Sequence, residues 1–95
     1  MITHVVLFKL KDASPANVER TVEVLLSMKG KIPGLKSLEV GADLVRSERS
    51  YDLALLSRFG SLQELDAYQK HPVHQEVLKF IASVKESSFS VDYET

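Results

Sequence analysis

The chain has 95 residues, 44% of them hydrophobic and 26% charged, which is the composition of a folded domain and excludes a disordered polymer. Twelve lysines and arginines against thirteen aspartates and glutamates leave a formal charge of −1, so there is no electrostatic footprint for nucleic acid or an acidic membrane. No cysteine is present, which removes disulfides, zinc–thiolate sites, iron–sulfur clusters and cysteine nucleophiles together.

No apolar run approaches the ~20 residues of a membrane span, and the stretch from Met1 to Asp12 lacks a basic region and a cleavage site. A cytoplasmic domain is expected. The glycines at 30, 34, 41 and 60 are isolated, so no phosphate-cradling loop exists, and the sequence calls for no cofactor. With no linker, repeat or low-complexity tract, residues 1–95 read as one unit.

Met1 to Leu10 alternates as a strand, with His4, Val6, Phe8 and Leu10 on one face and Val5 and Leu7 on the other. Ser14-Pro15 reads as an N-cap followed by proline at the first helical position. From Pro15 to about Lys31, Val18, Val22, Leu25 and Leu26 recur at helical spacing, with Ile32 beyond them and charges at Glu19, Arg20 and Glu23 opposite. Pro33-Gly34 stops the helix. A second strand is predicted over Leu35 to Leu44, then a solvated connection over Val45 to Ser50. Tyr51 to Phe59 alternates as a third strand.

Ser61 and Glu64 form a capping-box pattern that predicts a helix from about Leu62 to Lys70. His71-Pro72 breaks it, and a further helical segment places Val73, Val77, Phe80, Ile81 and Val84 on one face. Phe89, Val91 and Tyr93 then alternate with Ser88, Ser90 and Asp92 in a last strand. The order βαββαβ predicts an α+β, ferredoxin-like antiparallel sheet with its helices on one face. The other face would be left bare, carrying Val5, Leu7, Ala54 and Leu56. Monomers avoid large apolar patches of that kind, so a homodimer through the sheet face is expected.

HVVLFKLKD (His4 to Asp12), KIPGL (Lys31 to Leu35), AYQKHPVHQ (Ala67 to Gln75) and SVDYE (Ser90 to Glu94) occur in this order. Together they resemble the stress-responsive A/B barrel (Dabb) family of the dimeric α+β barrel superfamily, over essentially the whole chain. The tyrosine followed by His-Pro-x-His is the most specific part. The resemblance implies a ferredoxin-like subunit that pairs sheet to sheet into a dimeric barrel. The family includes stress-responsive plant oligomers, a plant cyclase that folds a linear polyketide by aldol condensation, and many bacterial proteins of unknown role.

By the resemblance, His74 matches the cyclase's general base and Tyr68 its partner at the substrate carbonyl. A neutral imidazole suits a base at pH 7, and a phenol can donate to a developing enolate oxygen. His4 matches a pocket-lining residue, and by alternation it shares a face with Val6 and Phe8. These three and His71 are the expected ligand contacts. Each has a plainer reading beside it, in which His71-Pro72-Val73-His74 organises the helix break, Tyr68 is core, and His4 is a satisfied core histidine. No metal is expected, because proline distorts the His71–His74 spacing and no third ligand is placed.

Leu25 and Leu53 stand where the cyclase carries a pocket tyrosine and histidine, and Ser88 and Ser90 replace apolar lining residues, so that cyclase's own activity is not expected here. Asp92 and Tyr93 match a terminal Asp-Tyr of the family, Asp92 serving equally as a structural acceptor or an acid. Three readings stay open: a stress-associated homo-oligomer, a protein binding a small apolar molecule between sheet and helices, and a cofactor-independent lyase, cyclase or monooxygenase.

Overall fold

A computed structural model describes residues 1–95. Strand β1 (Ile2–Leu10) leads into helix α1 (Pro15–Leu26), then β2 (Ser37–Ala42), β3 (Leu53–Phe59), α2 (Leu62–Lys70), α3 (Pro72–Val84) and β4 (Lys85–Glu94). The sheet order is β2-β3-β1-β4, antiparallel throughout, which is the ferredoxin-like arrangement. No helix is long and apolar enough to cross a membrane.

The caps follow from the residues that supply them. Ser14 accepts a hydrogen bond from the Asn17 amide at 3.4 Å, with Pro15 in the first turn. Ser61 accepts from the Glu64 amide at 3.1 Å. The reciprocal half of that capping box does not form, because the Glu64 carboxylate turns toward Lys36 Nζ at 3.9 Å. Gly34 explains why there is room for it. At φ +86° the position disfavours any side chain, and a Cβ there would stand 2.6 Å from Glu64 Oε2.

α1 stops five residues before the Lys31 expected from periodicity. Ser27 closes it, donating its hydroxyl to the Val24 carbonyl at 2.5 Å, and Gly30 takes a positive φ in the turn that follows. Met28 is thereby carried into the core, while Leu26, expected in the buried stripe, faces outward. Thr21 is fully buried on the helix face because its hydroxyl donates to the Asn17 carbonyl, which satisfies it without water. β2 is shorter than expected at both ends, and Leu44 and Val45 lie exposed in the connection.

That connection is organised by a residue read only as an alternating strand position. Asp52 is buried, and its carboxylate accepts from the Leu10 amide at 2.7 Å and from Arg46 Nη2 at 2.7 Å. Arg46 has φ 55°, and its amide donates to Asp43 Oδ2 at 2.6 Å. Burial would raise the Asp52 pKa, but the Leu10 amide and the Arg46 guanidinium outweigh it and hold the carboxyl below its ordinary value.

The helix-facing side of β1 carries Ile2, His4, Phe8 and Leu10, all buried, with Val6 partly so. Beside them on β3 lie Phe59, Ser57, Leu55 and Leu53, in register. The opposite sheet face is uncovered. Leu7 pairs with Ala54 and Phe89, and Val5 with Leu56 and Val91. Leu7, Phe89, Val91 and Tyr93 remain 40%, 65%, 57% and 44% exposed on that face.

Candidate functional site

β4 makes its extensive contacts with β1 alone, so its helix-facing side is not roofed over. The gap between α3 and the β1–β4 pair is a cavity of about 230 Å³. His4, Val6 and Phe8 form its floor from β1, Ser88 and Ser90 from β4, and His74, Val77 and Ile81 its wall from α3. The register accounts for the serines: Ser88 stands opposite Phe8 and Ser90 opposite Val6.

Two imidazoles share this cavity. His74 Nδ1 lies 3.0 Å from the Gln69 carbonyl oxygen. A carbonyl only accepts, so Nδ1 carries the proton and Nε2 keeps a free lone pair. Burial lowers the His74 pKa, the Gln69 carbonyl opposes that, and the nearby His4 adds to the lowering. The ring is therefore neutral at pH 7. His4 Nδ1 is hydrogen-bonded to the Asp92 carboxylate directly across the strand pair. An ionised carboxylate also only accepts, so His4 too has its proton on Nδ1 and Nε2 unpaired. Both rings are thus oriented from behind, His4 by a carboxylate and His74 by a carbonyl, and each ring in its neutral Nδ1–H form offers an Nε2 lone pair.

Tyr68 is the packing piece between them. Its ring centroid lies 4.4 Å from that of His74, 6.2 Å from His4 and 4.9 Å from Phe59. It is only 1% exposed, does not line the cavity, and its hydroxyl points to the Met28 sulfur at 3.9 Å. Burial pushes its pKa up to about 12. The hydroxyl is turned away from the position that donation to a substrate carbonyl would need. His71 also stands outside the cavity lining. It is the extended residue between α2 and α3 and their shared cap, its Nδ1 accepting from the Val73 amide at 3.1 Å. Proline forces the preceding residue out of helical geometry, which explains that position. No group of three metal-ligating side chains converges.

Seven lining residues were not recognised as such from the sequence: Leu55, Gln69, Val77, Leu78, Ile81, Lys85 and Phe89. Asp92 was noted without its partner. Its signal was the antiparallel register, since pairing Ser88 with Phe8 places Asp92 opposite His4.

The model of the stress responsive A/B barrel domain family matches residues 2–95, and the chain belongs to that family. A dimeric protein of unknown function with a ferredoxin-like fold from Bacteroides fragilis is 33% identical, with a TM-score of 0.85 over 99% of this chain and 95% of that one. A dimeric ferredoxin-like protein of unknown function from Thermobifida fusca is 32% identical, with a TM-score of 0.87 over 99% of this chain and 90% of that one. A hydroxynitrile lyase from Passiflora edulis shares the fold at 18% identity, with a TM-score of 0.83 over 97% of this chain and 90% of the enzyme. No curated protein matches the sequence.

Proposed function

We propose that the protein is a homodimer, paired through its open sheet face, whose cavity binds a small, largely apolar carbonyl compound and moves a proton within it. The observation that carries this reading is the pair of Nε2 lone pairs, each oriented by an acceptor behind Nδ1, at one cavity of mainly apolar lining. Pairing through the open face would cover Leu7, Phe89 and Val91, and the Bacteroides and Thermobifida relatives are dimeric.

A proton α to a carbonyl passes to an imidazole Nε2, and the electron pair of the broken C–H bond moves to the carbonyl oxygen as an enolate. His4 is the better acceptor, since Asp92 offsets the charge that its ring gains, whereas His74 would gain charge against its burial. The Ser90 hydroxyl on the floor, opposite Val6, can donate to the enolate oxygen. Tyr68 acts through the two rings as a positioning residue. A hydroxynitrile lyase from Passiflora edulis has the same fold, so the fold accommodates an enzyme.

The test is an NMR titration of the three imidazoles, with heptan-2-one as probe, combined with its α-hydrogen exchange in deuterated water. The His4 and His74 signals should move with the ketone while His71 stays still, and exchange should be faster than with a His4→Phe variant. Unmoved histidine signals and uncatalysed exchange would reduce the protein to an oligomer without a ligand.

A further inference from the structure

The cavity has a second polar end. Lys85 follows the last residue of α3 and lines the cavity, with its Nζ 3.3 Å from Ser88 Oγ, which lines it too. Lys85 is half-buried and forms no ion pair, whereas Lys36, Lys70 and Lys79 each have a carboxylate partner. A helix C-terminus favours a lysine nearby, but that preference is met by an ammonium turned to solvent. It does not account for one laid over a cavity floor on a serine hydroxyl. No aspartate or glutamate lines the cavity, and Lys85 is its one formally charged side chain.

The register gives the spacing. Ser88 is opposite Phe8 and Asp92 opposite His4, four residues apart along β1, which at strand rise is roughly 13 Å. A cation thus sits at one end of the cavity and the His4–Asp92 pair at the other, with Val6, Phe8, Val77 and Ile81 between them. With the cavity's one charged side chain at the Lys85 end, an anionic ligand is oriented with its charge away from the histidines. At about 230 Å³ the cavity falls below the ~300 Å³ at which drug-sized pockets begin, so that ligand is small.

We infer that the ligand is an anionic, medium-chain oxo acid, its carboxylate held by Lys85 Nζ and the Ser88 hydroxyl and its ketone, with the reacting α-carbon beside it, directed to the histidine end. This rests on the cavity being a ligand site, as proposed above, and adds the chemical class of what enters it. Lys85 is here a binding residue; the chemistry remains at His4.

Octanoate and octanamide have the same chain and differ in charge, so they serve as probes. Binding is followed by the His4 and His74 ring signals. Octanoate should bind about tenfold tighter than octanamide, because a charge-assisted contact replaces a neutral one. Lys85→Met should remove that preference by weakening octanoate far more than octanamide, and Lys85→Arg should keep most of it. A lysine that merely caps α3 would change the melting temperature in Lys85→Met and leave the preference intact, which overturns the inference. Equal binding of the two probes by the wild type overturns it as well, while sparing the cavity as a ligand site. Failure of both probes to move either ring removes that site and the inference with it.

Discussion

Asp52→Ala is expected to be among the most destabilising single changes outside the apolar core. The Asp52 side chain is buried and receives the Leu10 amide at 2.7 Å, at the end of β1 where the strand leaves the sheet. Alanine strands that buried amide, at a cost of about 1–3 kcal/mol, and also releases Arg46 from the connection it orders. For a domain of this size each kcal/mol moves the melting temperature by about 4–8 °C, so a loss of about 2 kcal/mol lowers it by roughly 8–16 °C. Circular dichroism melts at one fixed protein concentration measure this without confounding by association. Asp52→Asn separates the terms, because its amide oxygen can still accept from Leu10 while the charge is gone. The pH dependence follows from the lowered pKa. The carboxylate's stabilisation is present above its unfolded value of about 3.9 and is lost as pH falls through the folded value. The difference between wild type and Asp52→Asn should therefore narrow below about pH 4. An Asp52→Ala protein melting within about 2 °C of wild type would refute this account of the connection.

Leu7→Asp places a charge at the centre of the open face, opposite Ala54 and Phe89, and should yield a folded monomer by sedimentation at concentrations where the wild type is dimeric. Asp92→Asn should let His4 exchange its Nδ1–H tautomer for the other, visible in its imidazole ¹⁵N shifts, and slow ketone exchange by at least about tenfold. His74, whose pKa is lowered by burial, stabilises the fold most above its unfolded value of about 6.5. Stability should decline as pH falls from there toward its folded value, and His74→Phe should flatten that part of the profile.

Most of the architecture was legible because its punctuation is local chemistry. Ser14-Pro15 and His71-Pro72 each act through backbone sterics within a few residues, and the α2–α3 break falls where proline dictates. The end of α1 was not legible, since Val24, Leu25 and Leu26 continue an apolar pattern that only the Ser27 cap and the Gly30 turn interrupt. Asp52 was misread for a different reason: its partners are 42 and 6 residues away, so nothing in its own strand marks it as buried. The site divides in the same way. Alternation along β1 placed His4, Val6 and Phe8 together, whereas the turning of Tyr68 toward Met28 depends on packing across 40 residues of chain. Lys85 carries no local signal at all, being an ordinary lysine until the fold lays it over Ser88.

β4 joins the open face to the cavity, because its alternation is inverted relative to β1. Ser88, Ser90 and Asp92 stand opposite the helix-facing Phe8, Val6 and His4, while the apolar Phe89, Val91 and Tyr93 face outward. A strand so patterned is unfavourable in isolation, since large apolar groups meet water, and the arrangement makes sense where a second sheet covers them. Phe89 belongs to both regions, lining the cavity and bordering the apolar patch of Val5, Leu7 and Val91. Burying its exposed two-thirds should contribute about 1–2 kcal/mol per protomer, twice over in a two-fold dimer. Phe89→Ala should therefore weaken the dimer by at least about 30-fold. Because Phe89 borders both the cavity and the face that pairs, ligand and partner binding are expected to be linked, each strengthening the other by the same factor. Heptan-2-one should then tighten the wild-type dimer in sedimentation equilibrium and have no such effect on Phe89→Ala. A wild-type dimer constant indifferent to the ketone would mean that the two faces of β4 act independently.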